Sequence, residues 1–424
     1  MSRGPRIPRL LHERTFRRFW LGQTVSLVGD QVTLFAIPIV AVLFLHASPA
    51  EMGYLTAAGV VPSLLFSLSA GAWSDRRGHR RRTMLVADVA RGALLLTIPA
   101  AALLGALTLA QLYAVAFLVG VFDVLFYVAY NTLFVSIVKP EDYLQGNSLL
   151  NGSRAMSSVV GQSLAGLLVT IFTAPIALLA DACSFVFSAL CLRSIHPQEP
   201  PTSDGGRGQR TTGIRFIARS SIVRSALGAT ATVNYFNFVF FSLFTLYAVR
   251  LLGVRPVTLG LVLSAGAVGA LVGSALTGPL SRLIGVGRAF VLSCLLFPAP
   301  LLLVPAAPSH GVSRLVFLFL AEFGSGLGVM ILDISIGTVF ATVIPDTIRA
   351  SVSGAYRTVN YGMRPLGALT GGALGSLIGV RSTLWFAAIG GVFCVVWVIT
   401  SPLLRDKDCV RAQAATVTST SDAE

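Results

Sequence analysis

Twelve apolar runs follow one another along the chain, each long enough to cross a lipid bilayer as a helix. The first six lie at about residues 19–45, 51–73, 83–105, 110–135, 147–171 and 174–194. The other six lie at about 225–250, 257–281, 287–307, 312–340, 352–376 and 379–402. A hydrocarbon core about 30 Å thick takes about 20 apolar residues to span, at a rise of about 1.5 Å each. Only 12% of the residues are charged, against about 25% in an ordinary soluble domain. The solvent of this chain is lipid.

The formal charge of +14 would suggest nucleic acid in a soluble domain. Here the arginines cluster at the ends of apolar runs, as in Arg14, Arg17, Arg18 and in Arg76, Arg77, Arg80, Arg81, Arg82, with no interleaved aromatic residues for base stacking. That is the pattern of a positive-inside topology signal. Lys139, Arg207, Arg210, Arg215, Arg219, Arg282, Arg288 and Arg349 fall on the side of the N-terminus, while the opposite loops offer little beyond Arg250, Arg255, Arg314 and Arg381. Both termini are therefore expected in the cytoplasm, with the protein multi-pass in the cell's inner membrane. Six arginines precede the first run, which is too long for a signal h-region and lacks a clear cleavage site, so this helix is expected to stay in the mature protein. The five cysteines show no metal or haem spacing; no metal, cofactor or disulfide is expected.

An internal repeat organises the runs. A shift of 207 aligns Gly53 with Gly260, Gly71 with Gly278, Ser74 with Ser281, Gly78 with Gly285 and Arg81 with Arg288. A shift of 206 aligns Thr132 with Thr338, Phe134 with Phe340, Gly161 with Gly367 and Gly166 with Gly372. Six spans repeat on six spans in the same orientation, the parallel repeat of a two-bundle membrane protein. The fold class expected is an all-α membrane protein of twelve transmembrane helices in two pseudo-symmetric six-helix bundles. Its parts are a cytoplasmic arm at 1–18, an N-terminal bundle at 19–194, a cytoplasmic central loop at 195–224, a C-terminal bundle at 225–402 and a disordered cytoplasmic tail at 403–424.

After the second run the chain reads Gly71-Ala-Trp-Ser-Asp75-Arg76-Arg77-Gly78-His79-Arg80-Arg81. This resembles the signature loop of the major facilitator superfamily. Gly71, Asp75, Arg76, Gly78 and Arg80 match it, while Trp73 replaces the usual Leu and His79 the usual first basic residue. The second copy, Gly278 to Arg288, lacks the Asp. The resemblance extends from Phe16 to about Pro402. The opening Phe16-Arg17-Arg18-Phe19-Trp20 to Gly29-Asp30 is similar to the twelve-span drug:proton antiporters that include macrolide and enterobactin exporters. Gly161-Gln-Ser-Leu-Ala165-Gly166 resembles their antiporter motif, with Gln162 where a Pro usually stands. The resemblance implies a gating loop at Gly71, Asp75, Arg76, Gly78 and Arg80. It also implies proton-coupled efflux of small amphipathic compounds by alternating access. Gly161, Gly166, Gly367 and Gly371 are expected to let helix backbones approach closely.

Ionisable residues inside spans cost at least about 2.5–3.5 kcal/mol at a helix centre and mark function by default. Asp30 lies about midway along the first run, Asp123 midway along the fourth, and Glu322 and Asp333 on one face of the tenth. With Arg154 on the fifth, these are the candidates for handling protons or substrate. Arg154 is either a counter-ion for Asp123 or part of an anion site. Asp88 and Arg91, three apart, are read as a local structural pair, and Arg357 and Arg364 sit on the eleventh run. Gln23, Asn131, Asn147, Asn151, Asn234 and Asn237 are expected to line a cavity. The aromatic run Tyr235, Phe236, Phe238, Phe240, Phe241, Phe244, Tyr247 lines an apolar cavity or packs as a stripe.

Other classes fit less well. No HExxH or GxSxG motif is present and the five histidines fall in loops or at ends, so no enzyme is legible. Only Lys139 and Lys407 exist and neither completes a P-loop, which excludes an ATP-driven pump in one chain. An importer or uniporter of a small metabolite, or a transport-inactive receptor or scaffold, stands as the alternative. The expected partners are a small-molecule substrate, protons and the bilayer, for a monomer without nucleic acid. Asp75→Asn is expected to impair transport far more than expression; wild-type transport rates in vesicles would remove the gating role.

Overall fold

A bilayer core offers no water to pair with backbone N–H and C=O groups, so a spanning segment satisfies them within its own helix. The computed structural model describes residues 9–77, 79–195, 210–399 and 401, and among these all regular structure is helical. In order, the first helices are α1 (Arg14–Ile39), α2 (Pro49–Arg77), α3 (Arg80–Leu103), α4 (Leu109–Ile137), α5 (Tyr143–Ile171) and α6 (Ala174–Arg193). After a short α7 (Arg210–Arg219) come α8 (Ser221–Leu246), α9 (Pro256–Ile284), α10 (Val286–Leu296), α11 (Leu303–Ala306) and α12 (Ser313–Val343). The last are α13 (Asp346–Leu377), α14 (Val380–Val392) and α15 (Val396–Ile399). Ten helical segments of the described residues are long and apolar enough to cross a membrane. The 29-residue α2 and the 32-residue α13 match them in length.

The chain forms two compact units: Met1–Ala47, Ala58–Gly205 and Arg255–Ser264 in one, Ser48–Ala57, Gly206–Val254 and Ala265–Glu424 in the other. In the first, α1 packs against α5 and α6, and α3 against α4 and α6. One apolar core there joins Phe16, Phe19, Met84, Leu133, Phe134 and Leu192. In the second, α8 packs against α13 and α14, and α10 against α12, with Val223, Phe290, Leu332, Val339 and Val398 in its core.

The repeat is visible in backbone irregularities. α1 ends in a π turn at Val40–Phe44 and α8 in one at Tyr247–Leu251, an offset of 207. At that offset Leu45 N–H donates to Val40 O (3.2 Å) as Leu252 does to Tyr247 (3.0 Å), and Ala47 to Ala41 (2.8 Å) as Val254 does to Ala248 (2.9 Å). Both turns are left through a left-handed residue, His46 at φ 52° and Gly253 at φ 62°.

Glycine repeats become backbone crossings. In the first unit a Cβ on Gly260 would lie 3.1 Å from the Cα of Gly166; in the second, one on Gly53 would lie 2.8 Å from the Cα of Gly372. The repeat exchanges these two crossings. Gly161 rests on Gln31 and Val28 of α1, Gly367 on Tyr235 of α8 and Gly371 on Val239 and Ser242 of α8.

Some boundaries differ from the sequence expectation. α1 begins at Arg14, inside the expected arm, and within the expected central loop α7 forms and α8 starts at Ser221. Ser220 caps α8 by accepting from Val223 N–H at 3.4 Å, and Phe216 and Ile217 of α7 bury themselves in the second core. The tail 402–424, residues 1–8 and 196–209 lie outside the described residues. Several loop arginines serve helix ends as well as topology. Arg18 and Arg81 donate to the carbonyls of Ser194 (3.0 Å) and Ile195 (2.5 Å) after α6, satisfying acceptors that a helix C-terminus leaves open.

Replacing Gly260 by Leu is expected to cost about 1–3 kcal/mol through overpacking. Gly337→Ala, where nothing lies within 4 Å, is expected to be neutral or to gain up to about 1 kcal/mol. Thermal unfolding in detergent measures both; a Gly260→Leu protein as stable as wild type would mean the crossing does not constrain the helices.

Candidate functional site

The first unit gathers its charge around Arg91. Nη2 of Arg91 donates to Oδ1 of Asp88, one turn earlier on α3, at 2.5 Å. Nη1 donates to Oδ1 of Asp123 on α4 at 2.6 Å and lies 3.9 Å from Oδ1 of Asp30 on α1. The guanidinium is held between two rings, its Cζ 4.2 Å from the centroid of Phe185 on α6 and 4.4 Å from that of Phe126 on α4. Cation–π attraction of this kind strengthens as the cation leaves water. The side chains of Arg91 and Asp88 are 3% and 0% exposed, those of Asp30 and Asp123 40% and 51%.

A fourth carboxylate lies behind them. Asp181 of α6 is fully buried and accepts hydrogen bonds from Thr33 Oγ1 of α1 and from Ser184 Oγ, the latter at 2.8 Å. Gly29 makes room for it: a Cβ there would run into Asp181 Oδ1 and Ser184 Oγ. One guanidinium thus faces Asp30, Asp88, Asp123 and Asp181, brought in by four helices. With every group ionised the cluster carries a net charge of −3. Like charges 4 Å apart repel by about 4 kcal/mol even at an effective dielectric constant near 20.

The second unit is built differently at the equivalent place. Shifted by 207, Asp30 and Arg91 fall on Asn237 and Pro298; shifted by 206, Asp181 falls on Ala387. Asn237, Pro298 and Ala387 line a narrow apolar pocket with Phe236, Phe240, Phe297 and Gly391. Elsewhere in this unit Arg364 Nε donates to Asn234 Oδ1 at 3.2 Å, and Asn234 Nδ2 to Asn360 Oδ1 at 3.1 Å, joining α8 to α13. Glu322 is half-buried against α9, where a Cβ on Gly266 would lie 3.2 Å from its Oε2. Asp333 is exposed on the same helix.

The structure thus brings together Asp30 and Asp123, and leaves Glu322 and Asp333 in the other unit. Of the two readings of Arg154, the counter-ion one is corrected: Arg154 is exposed, its guanidinium lies over Tyr130 at 5.4 Å, and the cation on Asp123 is Arg91. The Asp88–Arg91 pair forms but reaches beyond its own helix. Asn131, Asn147 and Asn151 are exposed, the first two donating to carbonyls one turn back. Within the aromatic run Phe240 and Phe244 stack at 5.7 Å and Tyr247 is buried, so part of it is core and part lines the pocket. The side chains of Asp75 and Arg76, the packing of Gly71, and Gly78 altogether lie outside the described residues; Arg80 is buried at the start of α3. Asp181 is not among the sequence candidates, although a lone Asp within the sixth apolar run is the same kind of signal as Asp30. Among the described residues no acidic, His or Cys group is arranged to hold a metal ion.

Twelve long helices in two repeated sets, with carboxylates and a guanidinium inside one of them, define a multi-pass membrane transporter. The chain belongs to the Major Facilitator Superfamily, whose profile matches residues 19–368 and, overlapping, 226–416; its members are transporters and not enzymes. It is 25% identical over 397 residues to the uncharacterized MFS-type transporter YfiS of Bacillus subtilis (strain 168), covering 89% of this chain and 90% of that one. It is 24% identical over 406 residues to the multidrug efflux pump Tap of Mycolicibacterium fortuitum, covering 90% and 94%. Similar folds include the nucleoside transporter NupG, with a TM-score of 0.72 at 12% identity over 91% of this chain and 98% of that one. A bacterial homologue of the iron transporter ferroportin in the inward-facing state gives 0.70 at 18% identity over 91% and 98%.

Removing one partner of a buried ion pair costs about 3–5 kcal/mol, because the other charge is left without compensation. Arg91→Ala is expected to lose about that much stability, and Asp88→Asn/Arg91→Ala to recover part of it. Thermal unfolding of the purified protein tests this; equal loss in the single and double variants would mean the ring contacts, and not the charge, set the stability.

Proposed function

We propose that the chain is a proton-coupled exporter of small amphipathic compounds, working by alternating access in the cell's inner membrane with both termini in the cytoplasm. The observation that carries this reading is the excess of carboxylates around Arg91. A cluster with four acids and one base inside a span holds protons that it can exchange. Asp30 and Asp123 are half-open, so they are the two that meet water or substrate first. A change in their access to water changes how readily they bind a proton, and proton binding then biases one conformation over another. The excess of acids favours a neutral or cationic substrate over an anion. Similarity to a multidrug efflux pump over nearly the whole chain supports export. Asp75 and Arg76 are proposed as the gate of the transport cycle, and a monomer suffices because one chain holds both bundles.

Compounds whose toxicity rises when the gene is deleted identify the substrate. With such a compound, an uncoupler is expected to abolish uphill export. Asp30→Asn, which keeps size and hydrogen bonding but mimics the protonated acid, is expected to keep the fold and lose pH-dependent uphill export. Uphill export at zero proton gradient with sodium absent would overturn proton coupling. Full pH-dependent export by Asp30→Asn would move the coupling role to Asp123 or Glu322.

A further inference from the structure

We propose that Asp181 is a second proton-binding residue of the transport cycle, buried behind Asp30 and linked to it through α1. The assignment rests on proton coupling as proposed above and adds a residue and a proton to it.

The four carboxylates divide by the chemistry of their partners. Asp88 and Asp123 stand 2.5 and 2.6 Å from the Arg91 guanidinium, which has donors only and therefore holds both as acceptors. Asp181 is held by hydroxyls, those of Thr33 and Ser184. A hydroxyl both donates and accepts, so these two partners serve a carboxylate and a carboxylic acid equally well. The single positive charge is already shared by two acids in contact with it. The charged groups acting on Asp181 from the helices around α6 are Asp30 of α1, Arg91 of α3 and Asp123 of α4. Two of these three are acids. A buried carboxylate without a cation in contact costs several kcal/mol, and a bound proton removes that cost.

Two further features connect Asp181 to the rest of the cluster. Ser184 and Ser188 follow it at i+3 and i+7 on the same face of α6. Ser188 is fully buried and its hydroxyl faces the fully buried Asp88 of α3. These groups form a polar line along α6 from Asp88 to Asp181. On the other side, Gly29 and Thr33 of α1 touch Asp181 while Asp30, between them in sequence, faces Arg91. A movement of α1 against α6 therefore changes the surroundings of both acids together.

The test is infrared difference spectroscopy of the full-length protein in lipid vesicles, taken between acid and alkaline pH, with no substrate present. Wild type is expected to show two protonated-carboxyl C=O bands that titrate. Asp181→Asn should remove one and Asp30→Asn the other. Thr33→Val, which keeps every carboxyl group but deletes one hydroxyl, should shift the Asp181 band without removing it; it also serves if Asp181→Asn does not fold. An Asp181→Asn spectrum with both bands, or a Thr33→Val spectrum identical to wild type, overturns the assignment. If Asp30→Asn removes a band and Asp181→Asn does not, the assignment fails while proton coupling stands. If wild type has no titrating carboxyl band and exports without a proton gradient, proton coupling itself fails.

Discussion

A guanidinium that stays charged under any condition a protein meets has been placed inside a helical bundle, and the helices around it are arranged to make that tolerable. Arg91 cannot shed its proton to escape burial, so α3 supplies Asp88, α4 supplies Asp123 and Phe126, and α6 supplies Phe185. Each contact is directional, through a donor fork or a ring face. Sliding any of these helices by one residue would strand either the charge or its partner. Packing of apolar side chains alone would leave such slides much cheaper, since hydrophobic contact has no preferred direction.

The backbone repeats while the chemistry does not. The π turns, the left-handed residues after them and the glycine crossings recur at offsets of 207 or 206. The positions of Asp30, Arg91 and Asp181 recur as Asn237, Pro298 and Ala387 around an apolar pocket. Even the close contact of α1 with α6 is inverted in its second copy. In the first, Gly29 admits the polar Asp181 and Ser184; in the second, Gly390 admits the ring of Phe236. At this place one unit carries charge and the other an apolar wall.

Most of the fold was legible because its causes are local. Length and hydropathy mark a span residue by residue, and a glycine repeat survives in any alignment of the chain on itself. Partner choice was not legible, because it is decided between helices. Asp123 has Arg91 32 residues before it and Arg154 31 residues after it, and no spacing rule separates them. Only the rotation of α3 and α5 does, turning Arg91 inward and Arg154 outward. Asp181 stood in plain view as a single acid in the run 174–194; what was not legible is its hydroxyl partner Thr33, which lies on another helix. α7 was hidden by brevity: its ten residues sit in a Gly- and Pro-rich stretch whose composition says loop, and its burial against the second core decides otherwise.

The turn after α1 has the same shape in both copies. His46 and Gly253 occupy the same place in the two copies and take the same left-handed backbone, although histidine pays about 1–2 kcal/mol there that glycine does not. The two residues differ while the backbone geometry is the same. The shape of the turn is therefore dictated by the helices it joins and not by the amino acid that occupies it. Such a junction has no slack, and an insertion or deletion between α1 and α2 would be felt in both helices, where an ordinary surface loop would absorb it.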